Sequence, residues 1–232
     1  MKKVNILKKK LPYEIEEEIN TLRTNIQFTG ADKKVILVTS CMGSEGKSTT
    51  TYRLAASLSE LGKRVLLIDT DMRKSVMVGR LAMGTVEKGL SHYLSGQCNL
   101  VDVVYSTNVP NLHIIFAGPV PPNPTALLET KVFKDTIESC RELYDYILID
   151  TAPLGMVIDA AIVAKHCDGA ILLMESGAIK YKIAQDVKFK LESAQCPVLG
   201  VVLNKVEVNG RGGYYKQYYK KYEKYGTKES TK

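Results

Sequence analysis

A short loop between an apolar run and a stretch of helical length carries the residues that point most clearly to chemistry. It reads TSCMGSEGKS over residues 39–48. A loop ending in Gly-Lys-Ser at a helix start directs backbone N–H groups at a phosphate, while Lys47 reaches the β and γ phosphates and Ser48 ligates Mg²⁺. Cys41 replaces the usual first glycine, so Gly43 is expected to supply part of the missing flexibility. The predicted nucleotide-binding residues are Gly43, Ser44, Glu45, Gly46, Lys47, Ser48 and Thr49.

Three carboxylates follow two other apolar runs. Asp69 and Asp71 end the run LLIDTD, and Asp150 ends the run ILID. Ligands of open α/β sheets collect at the carboxyl ends of strands, where these residues and the loop must all lie. A single carboxylate there often only caps a helix, but three around a phosphate loop indicate ligands of Mg²⁺ and water. Asn204, at the end of the last apolar run, either faces the adenine or makes a structural hydrogen bond.

The elements that must position these residues form an alternating series. The apolar runs are short and do not alternate with polar residues, which is typical of strands covered on both faces; they span 35–38, 65–68, 112–116, 147–149, 170–174 and 198–203. Stretches of helical length cover 47–61, 125–142, 155–166 and 179–194, and residues 75–108 are expected to hold short helices. This order predicts an α/β doubly wound fold, with a mostly parallel sheet and helices on both faces.

The chain divides into three predicted parts. Residues 1–30 combine a basic segment with an amphipathic helix, whose apolar stripe is formed by Ile15, Ile19, Leu22 and Ile26. Residues 31–207 form the phosphate-binding domain. Residues 208–232 are expected to form a flexible tail, because no aliphatic residue follows Val208 and such a segment cannot add to a core.

Charge and composition narrow the classes of protein further. The positive net charge of +7 over 232 residues is concentrated at the two ends: residues 1–10 and residues 211–232 each carry +5, and the residues between them carry −3. Basic ends suit anionic surfaces, although solvated charge without a function is a common alternative. The five cysteines are scattered, which indicates neither a disulfide framework nor a zinc site. The absence of an apolar run of about 18 to 20 residues predicts a cytosolic chain.

Six of the thirteen tyrosines are concentrated near the carboxyl terminus, interleaved with lysines. They are Tyr214, Tyr215, Tyr218, Tyr219, Tyr222 and Tyr225. Aromatic residues with interspersed cations can stack on single-stranded nucleic acid. The cluster contains neither Phe nor Trp, however, which favours a role for the phenolic hydroxyl as a phosphate acceptor.

Together these motifs resemble the bacterial tyrosine kinases of capsular and exopolysaccharide synthesis (the CpsD/CapB type), within the MinD/ParA-like deviant P-loop ATPases. The resemblance spans nearly the whole chain: it rests on LRTNI at 22–26, the phosphate loop, DTDMR at 69–73, GPVPPNPTALL at 118–128, IDTAP at 149–153, VVLNKV at 201–206 and the tyrosine-rich end. Met42 occupies the position of the signature lysine of MinD-like and ParA-like proteins. Asn20 replaces the middle arginine of the family's ExxRxxR pattern, leaving Glu17 and Arg23 as expected oligomer contacts.

The resemblance implies an ATP- and Mg²⁺-dependent protein-tyrosine kinase that phosphorylates its own tail between subunits. Lys47 would offset charge on the γ-phosphoryl group, Ser48, Asp71 and Asp150 would place the metal, and Asp69 would accept the tyrosine proton, with exchange between Asp69 and Asp71 left open. The resemblance implies a homo-oligomer, for which a ring is one arrangement. The other implied partners are a transmembrane activator of the polysaccharide co-polymerase type, a cognate tyrosine phosphatase and protein substrates of polysaccharide precursor synthesis. The activator would hold the chain at the inner face of the membrane.

Two other functions remain open at this point. A MinD/ParA-like positioning ATPase would bind membrane or DNA through the basic ends, although Met42 and the tyrosines disfavour it. A nucleic-acid-binding module with a vestigial nucleotide site would show salt-sensitive oligonucleotide binding that depends on the tail. The favoured interpretation expects no nucleic-acid partner.

Overall fold

The computed structural model describes residues 2–7, 10–83 and 85–206, and these residues contain nine strands and eight α-helices. The strands are β1 (Lys2–Ile6), β2 (Val35–Ser40), β3 (Val65–Asp69), β4 (Ala82–Met83), β5 (Val104–Thr107), β6 (Leu112–Ile115), β7 (Tyr146–Asp150), β8 (Gly169–Glu175) and β9 (Val198–Asn204). The helices are α1 (Tyr13–Phe28), α2 (Lys47–Glu60), α3 (Met77–Leu81), α4 (Leu90–Leu94), α5 (Pro124–Leu128), α6 (Lys131–Leu143), α7 (Asp159–Ala164) and α8 (Tyr181–Ser193).

The strands form one sheet in the order β4-β1-β5-β6-β3-β7-β2-β8-β9. The six strands from β6 to β9 in this order are parallel, β5 runs antiparallel to β6, and β4 runs antiparallel to β1. One apolar cluster packs against α6 and α8 on one face, and a second packs against α1 and α2 on the other. The predicted doubly wound α/β fold is therefore confirmed, and all six predicted strands are present.

Three local features differ from the sequence expectations. The basic segment at the start forms β1, because Val4 and Ile6 bury their side chains and the Ile6 N–H donates to Asn108 Oδ1 at 2.8 Å. The predicted helix 125–142 is divided into α5 and α6, because the Thr130 side chain accepts the Phe133 N–H and starts a new helix. The predicted helix 155–166 contracts to α7, since residues 151–158 form a loop instead.

The predicted tail, residues 208–232, lies outside the described residues. No helix in the described part of the chain combines the length and hydropathy needed to span a bilayer. The expected stripe of α1 packs partly on the chain itself: Ile26 is buried and Leu22 contacts the second apolar cluster, while Ile15 is 40% exposed.

Asp168 fastens the beginning of the central strand β2. Its Oδ2 accepts the N–H groups of Lys34 at 2.9 Å and Val35 at 2.7 Å, and it accepts Arg141 Nη1 at 2.9 Å. Arg141 also donates to the His166 carbonyl at 3.1 Å. Because β2 leads directly into the phosphate loop, this network holds the strand that carries the site.

We expect Asp168→Ala to lower the free energy of unfolding by about 2 to 4 kcal/mol, because three donors lose their acceptor in a half-buried setting. Urea denaturation measures the change. Glu138→Ala is the matched control, since Glu138 lies 3.7 Å from Arg141 Nε and is 55% exposed; its effect should stay within about 0.5 kcal/mol. Equal losses in the two variants would contradict the assignment.

Candidate active site

The phosphate loop joins β2 to α2 at the carboxyl edge of the sheet, and its unusual backbone conformations fall at Ser44 (φ +64°) and Gly46 (φ +101°). A Cβ on Gly46 would lie 2.2 Å from Asn204 Nδ2. Gly43 has no positive φ, and a Cβ there would meet only Met156 Sδ at 4.0 Å. At Gly43, therefore, neither the backbone angle nor the surrounding space requires a glycine, and the expectation that Gly43 supplies part of the loop's flexibility stays a prediction.

Cys41 fits the loop without the backbone freedom of a glycine. Its side chain is fully buried and its φ is not positive. Burial raises the pKa of the Cys41 thiol to about 11, so it is not a reactive thiolate at neutral pH. A glycine is instead required at Gly155, which packs against Cys41: a Cβ there would lie 2.0 Å from the Cys41 carbonyl oxygen. Sequence reasoning missed Gly155, because its partner is far away in the chain.

Glu45 supports the loop from inside. Its side chain is buried; Oε2 accepts the Met42 N–H at 2.6 Å, and Oε1 accepts the Glu175 N–H at the end of β8 at 3.0 Å. The Glu45 carbonyl accepts Asn204 Nδ2 at 2.8 Å. Glu45 thus shapes the loop through its carboxylate, and Asn204 makes the structural hydrogen bond that the sequence left as one of two alternatives.

Lys47 and Ser48 open α2 next to the carboxylates. Lys47 is 7% exposed, and its charge reaches Asp150. Thr49 points elsewhere, since its hydroxyl accepts Arg80 Nη1 of α3 at 3.3 Å. The structure therefore brings Lys47 and Ser48 to the carboxylates and turns the Thr49 side chain toward α3.

Asp69 and Asp150 are register partners across β3 and β7, and each is 1% exposed. Asp69 Oδ1 accepts the Asp71 N–H at 3.0 Å, and Oδ2 accepts the Ser75 hydroxyl. Asp71 is half-buried, and its Oδ1 accepts the Lys74 N–H at 3.0 Å. The three predicted carboxylates therefore meet at one edge, with Asp69 the more enclosed of the two in the DTD motif.

Burial dominates the ionisation of this pair. It raises the pKa of Asp69 well above the usual value, and the negative charge of Asp150 raises that pKa further. Burial also raises the pKa of Asp150 to about 6, although the Lys47 charge and hydrogen bonds from Ser48 and Thr51 lower it. Two buried carboxylates side by side with one nearby lysine need a further positive charge when both are ionised.

The residues present fit a divalent cation. Among the described residues, Asp150 Oδ2 is buried and has no hydrogen-bond partner. A buried carboxylate oxygen without a partner, next to a serine hydroxyl and a second carboxylate, matches the oxygen ligands that Mg²⁺ prefers.

Glu17 and Arg23 make contacts within the chain. Arg23 Nη1 donates to Ser57 Oγ of α2 at 2.8 Å, and Asn20 Oδ1 accepts the same hydroxyl at 3.2 Å. Glu17 Oε1 accepts Asn20 Nδ2 at 3.2 Å. These side chains link α1 to α2, and their predicted role in subunit contacts stays a prediction.

We expect Asp150→Asn to stabilise the ligand-free protein at pH 8 by about 1 to 3 kcal/mol, because it removes a buried charge whose pKa is raised. The folded protein holds this proton up to about pH 6, whereas an unfolded aspartate releases it near 3.8. The wild type should lose stability as the pH rises through this window, and the variant should not. The stabilising effect of the substitution should therefore shrink as the pH falls from 6 to 4. Thermal unfolding in EDTA measures it.

The matched control is Asp145→Asn, where a backbone hydrogen bond from Arg64 lowers the pKa of the carboxyl. That substitution should destabilise at pH 8 rather than stabilise. Equal signs for the two variants would refute the assigned ionisation.

Known proteins are similar to this chain over most of its length. A family model described as an AAA domain matches residues 33–176. The tyrosine-protein kinase CpsD of Streptococcus agalactiae serotype III (strain NEM316) is 49% identical over 192 residues, covering 82% of this chain and 82% of the relative. The tyrosine-protein kinase CpsD of Streptococcus pneumoniae is 43% identical over 227 residues, covering 95% of this chain and all of the relative.

The fold leads to the same group. The kinase domain of the Escherichia coli tyrosine kinase ETK superposes with a TM-score of 0.80 at 29% identity, covering 84% of this chain and 77% of that one. These similarities favour the kinase over the positioning ATPase and the nucleic-acid module. The chain belongs to the bacterial family of tyrosine-protein kinases that includes CpsD, and its P-loop fold is that of an ATP-using enzyme.

Proposed function

We propose that this kinase transfers the γ-phosphoryl group of ATP to tyrosines of its own carboxyl-terminal segment, chiefly between subunits, and so helps control capsular or exopolysaccharide synthesis and export. The observation that supports it most directly is the meeting of Lys47 with Asp69 and Asp150 at one sheet edge, in a chain of this family. The proposed acceptors, Tyr214, Tyr215, Tyr218, Tyr219, Tyr222 and Tyr225, lie outside the described residues.

The proposed reaction uses positioning and charge neutralisation. The backbone of 43–48 and the Lys47 ammonium hold the phosphates, and Ser48, Asp71 and Asp150 would hold Mg²⁺. Bound there, Mg²⁺ would neutralise phosphate charge. The phenolic oxygen attacks the γ-phosphorus, the bond to the β-phosphate oxygen breaks, and the phenolic proton passes to a carboxylate.

Asp69 is the proposed proton acceptor. Its raised pKa makes the carboxylate a stronger base than an ordinary aspartate. Its Oδ2 is occupied by the Ser75 hydroxyl, so a tyrosine reaches Asp69 only when Ser75 moves. Asp71, which is half-buried, is the alternative acceptor in the same loop.

Chain length and charge allow transfer between subunits. The seventeen residue-to-residue steps from Val208 to Tyr225 can extend roughly 55 to 60 Å at about 3.3 to 3.6 Å each. The segment 211–232 carries +5, opposite in sign to the carboxylates at the sheet edge. Attraction between opposite charges would concentrate the tail near a neighbour's site.

The proposal includes the remaining partners. Glu17 and Arg23 are expected to contribute to a homo-oligomer, which would bring tails and sites together. A transmembrane activator of the polysaccharide co-polymerase type would bind the kinase at the inner face of the membrane, a cognate phosphatase would reset it, and enzymes of polysaccharide precursor synthesis would be further substrates. No nucleic acid is required.

We expect Lys47→Met to abolish tyrosine labelling by ATP, because it removes the charge directed at the phosphates. Labelling with radioactive ATP and circular dichroism measure activity and folding together. The control is Lys63→Met, at an exposed position in the turn before β3, which should label normally. A folded Lys47 variant that still labels its tyrosines would show that the phosphate site is elsewhere.

Changing all six tail tyrosines to Phe should remove most of the label and leave ATP hydrolysis intact, because none of the six is among the residues proposed to hold ATP. Tyr181→Phe is the control, since Tyr181 on α8 is 76% exposed and outside the tail. Mass spectrometry locates the phosphates. Each phosphate adds about −1.5 to −2 charges, so full phosphorylation should shift the oligomer toward monomer in sedimentation. Full labelling of the six-Phe variant would refute the acceptor assignment.

A further inference from the structure

Arg73, Asp159 and Thr125 form a closed set of hydrogen bonds beside the site. The Arg73 guanidinium binds the Asp159 carboxylate with two bonds, Nε to Oδ2 at 2.6 Å and Nη2 to Oδ1 at 3.0 Å. Arg73 Nη2 also donates to Thr125 Oγ1 at 2.8 Å, and Thr125 Oγ1 donates to Asp159 Oδ1 at 2.8 Å. We call these three residues the arginine clamp.

The clamp is a strong polar contact. The Asp159 side chain is only 2% exposed, whereas Arg73 is 39% exposed. Burial would raise the pKa of Asp159, but hydrogen bonds from Arg73 and Thr125 hold it below its usual value, so the carboxylate is ionised. Paired charge-assisted bonds of this geometry fix both partners more firmly than single neutral bonds do.

The clamp joins three segments that follow neighbouring strands: one loop and two helices. Arg73 follows β3 and stands two residues after Asp71, Thr125 lies in α5 beyond β6, and Asp159 opens α7 beyond β7. These strands are adjacent in the order β6-β3-β7. The loop that carries Asp71 is thus tied directly to the segments on both of its sides.

Internal bonds alone do not place Asp71. The contacts of Asp71 with Lys74 and of Asp69 with Asp71 and Ser75 define the shape of the loop. Before Asp71, the Thr70 N–H and hydroxyl both donate to the Asp150 carbonyl at 2.8 Å, which ties the start of the loop to β7. After Asp71, buried Met72 anchors the loop in the apolar core, and the clamp adds a polar attachment on that side.

We propose that the arginine clamp positions Asp71 against the phosphate loop and so sets how strongly a divalent cation increases nucleotide binding and how fast the phosphoryl group is transferred. The three members are positioning residues, since they act through Asp71. This inference rests on the proposed function, in which Asp71 helps to hold Mg²⁺. The metal-free affinity for nucleotide, which depends on residues 43–48, should not depend on the clamp.

The experiment measures ADP binding by calorimetry, in EDTA and in Mg²⁺, for the full chain and three variants. Arg73→Lys keeps the charge but cannot form the two-bond pair, Asp159→Asn keeps the shape but loses the charge, and Thr125→Val removes the third member. The control Arg64→Lys alters another arginine–aspartate pair, with Asp145 at 3.3 Å, outside the site.

We expect Arg73→Lys and Asp159→Asn to reduce the Mg²⁺-dependent gain in ADP affinity by about 10- to 100-fold, as supporting partners of metal ligands commonly do. Affinity in EDTA should change less than about twofold, kcat should fall, and the double variant should lose little more than either single one. Thr125→Val should lose less, and Arg64→Lys should match the wild type.

Three results would overturn the clamp. One is an unchanged Mg²⁺ gain in both Arg73→Lys and Asp159→Asn. Another is weakened binding in EDTA by Arg73→Lys alone, which would mean that Arg73 contacts the nucleotide directly. The third is an equal effect of Arg64→Lys, which would indicate general destabilisation. If wild-type protein labels tyrosine and Lys47→Met does not, while the clamp variants behave normally, the clamp fails and the proposed function stands.

Discussion

The pairing of β3 with β7 places two buried carboxylates, Asp69 and Asp150, side by side. The other residues of the site must compensate for their negative charge. Burial raises the pKa of both carboxyls, and the negative charge of Asp150 raises the pKa of Asp69 further. Lys47 provides one compensating charge from the start of α2. Asp150 Oδ2, which has no hydrogen-bond partner among the described residues, can interact with a second positive charge. The ligand-free protein thus gives up stability at a position where a cation and a phosphate group would restore it.

Contacts within the chain hold the shape of the phosphate loop. Glu45 spans from Met42 to the end of β8, and Asn204 holds the loop's backbone from β9. Gly155 allows the loop after β7 to lie directly against Cys41. Because these contacts come from three different strand ends, they hold the backbone N–H donors of the loop in place. Preorganised donors avoid the cost of rearrangement during reaction.

The central architecture was accessible from sequence, and the supporting contacts were not. Strands β3 and β7 are mostly apolar and end at the site residues Asp69 and Asp150, and β2 leads directly into the phosphate loop, so the hydrophobic pattern predicts where the site lies. The sequence analysis did not predict the strand at Lys2–Ile6, because its lysine-rich sequence carries no strand pattern and the strand forms by pairing with β5. The roles of Gly155 and of the Arg73–Asp159 pair escaped too, since they depend on partners 114 and 86 residues away, which local spacing cannot reveal.

The link between α1 and α2 connects the proposed subunit contact to the site. Ser57 on α2 binds both Asn20 and Arg23 of α1, and α2 begins with Lys47. Asn20, which stands where the family pattern has an arginine, therefore fastens α1 to its own chain rather than presenting a charge outward. A neighbour that contacts Glu17 must displace or build upon its bond to Asn20. Since a helix moves largely as a rigid unit, a shift of α1 against α2 would be transmitted to Lys47, the proposed phosphate ligand.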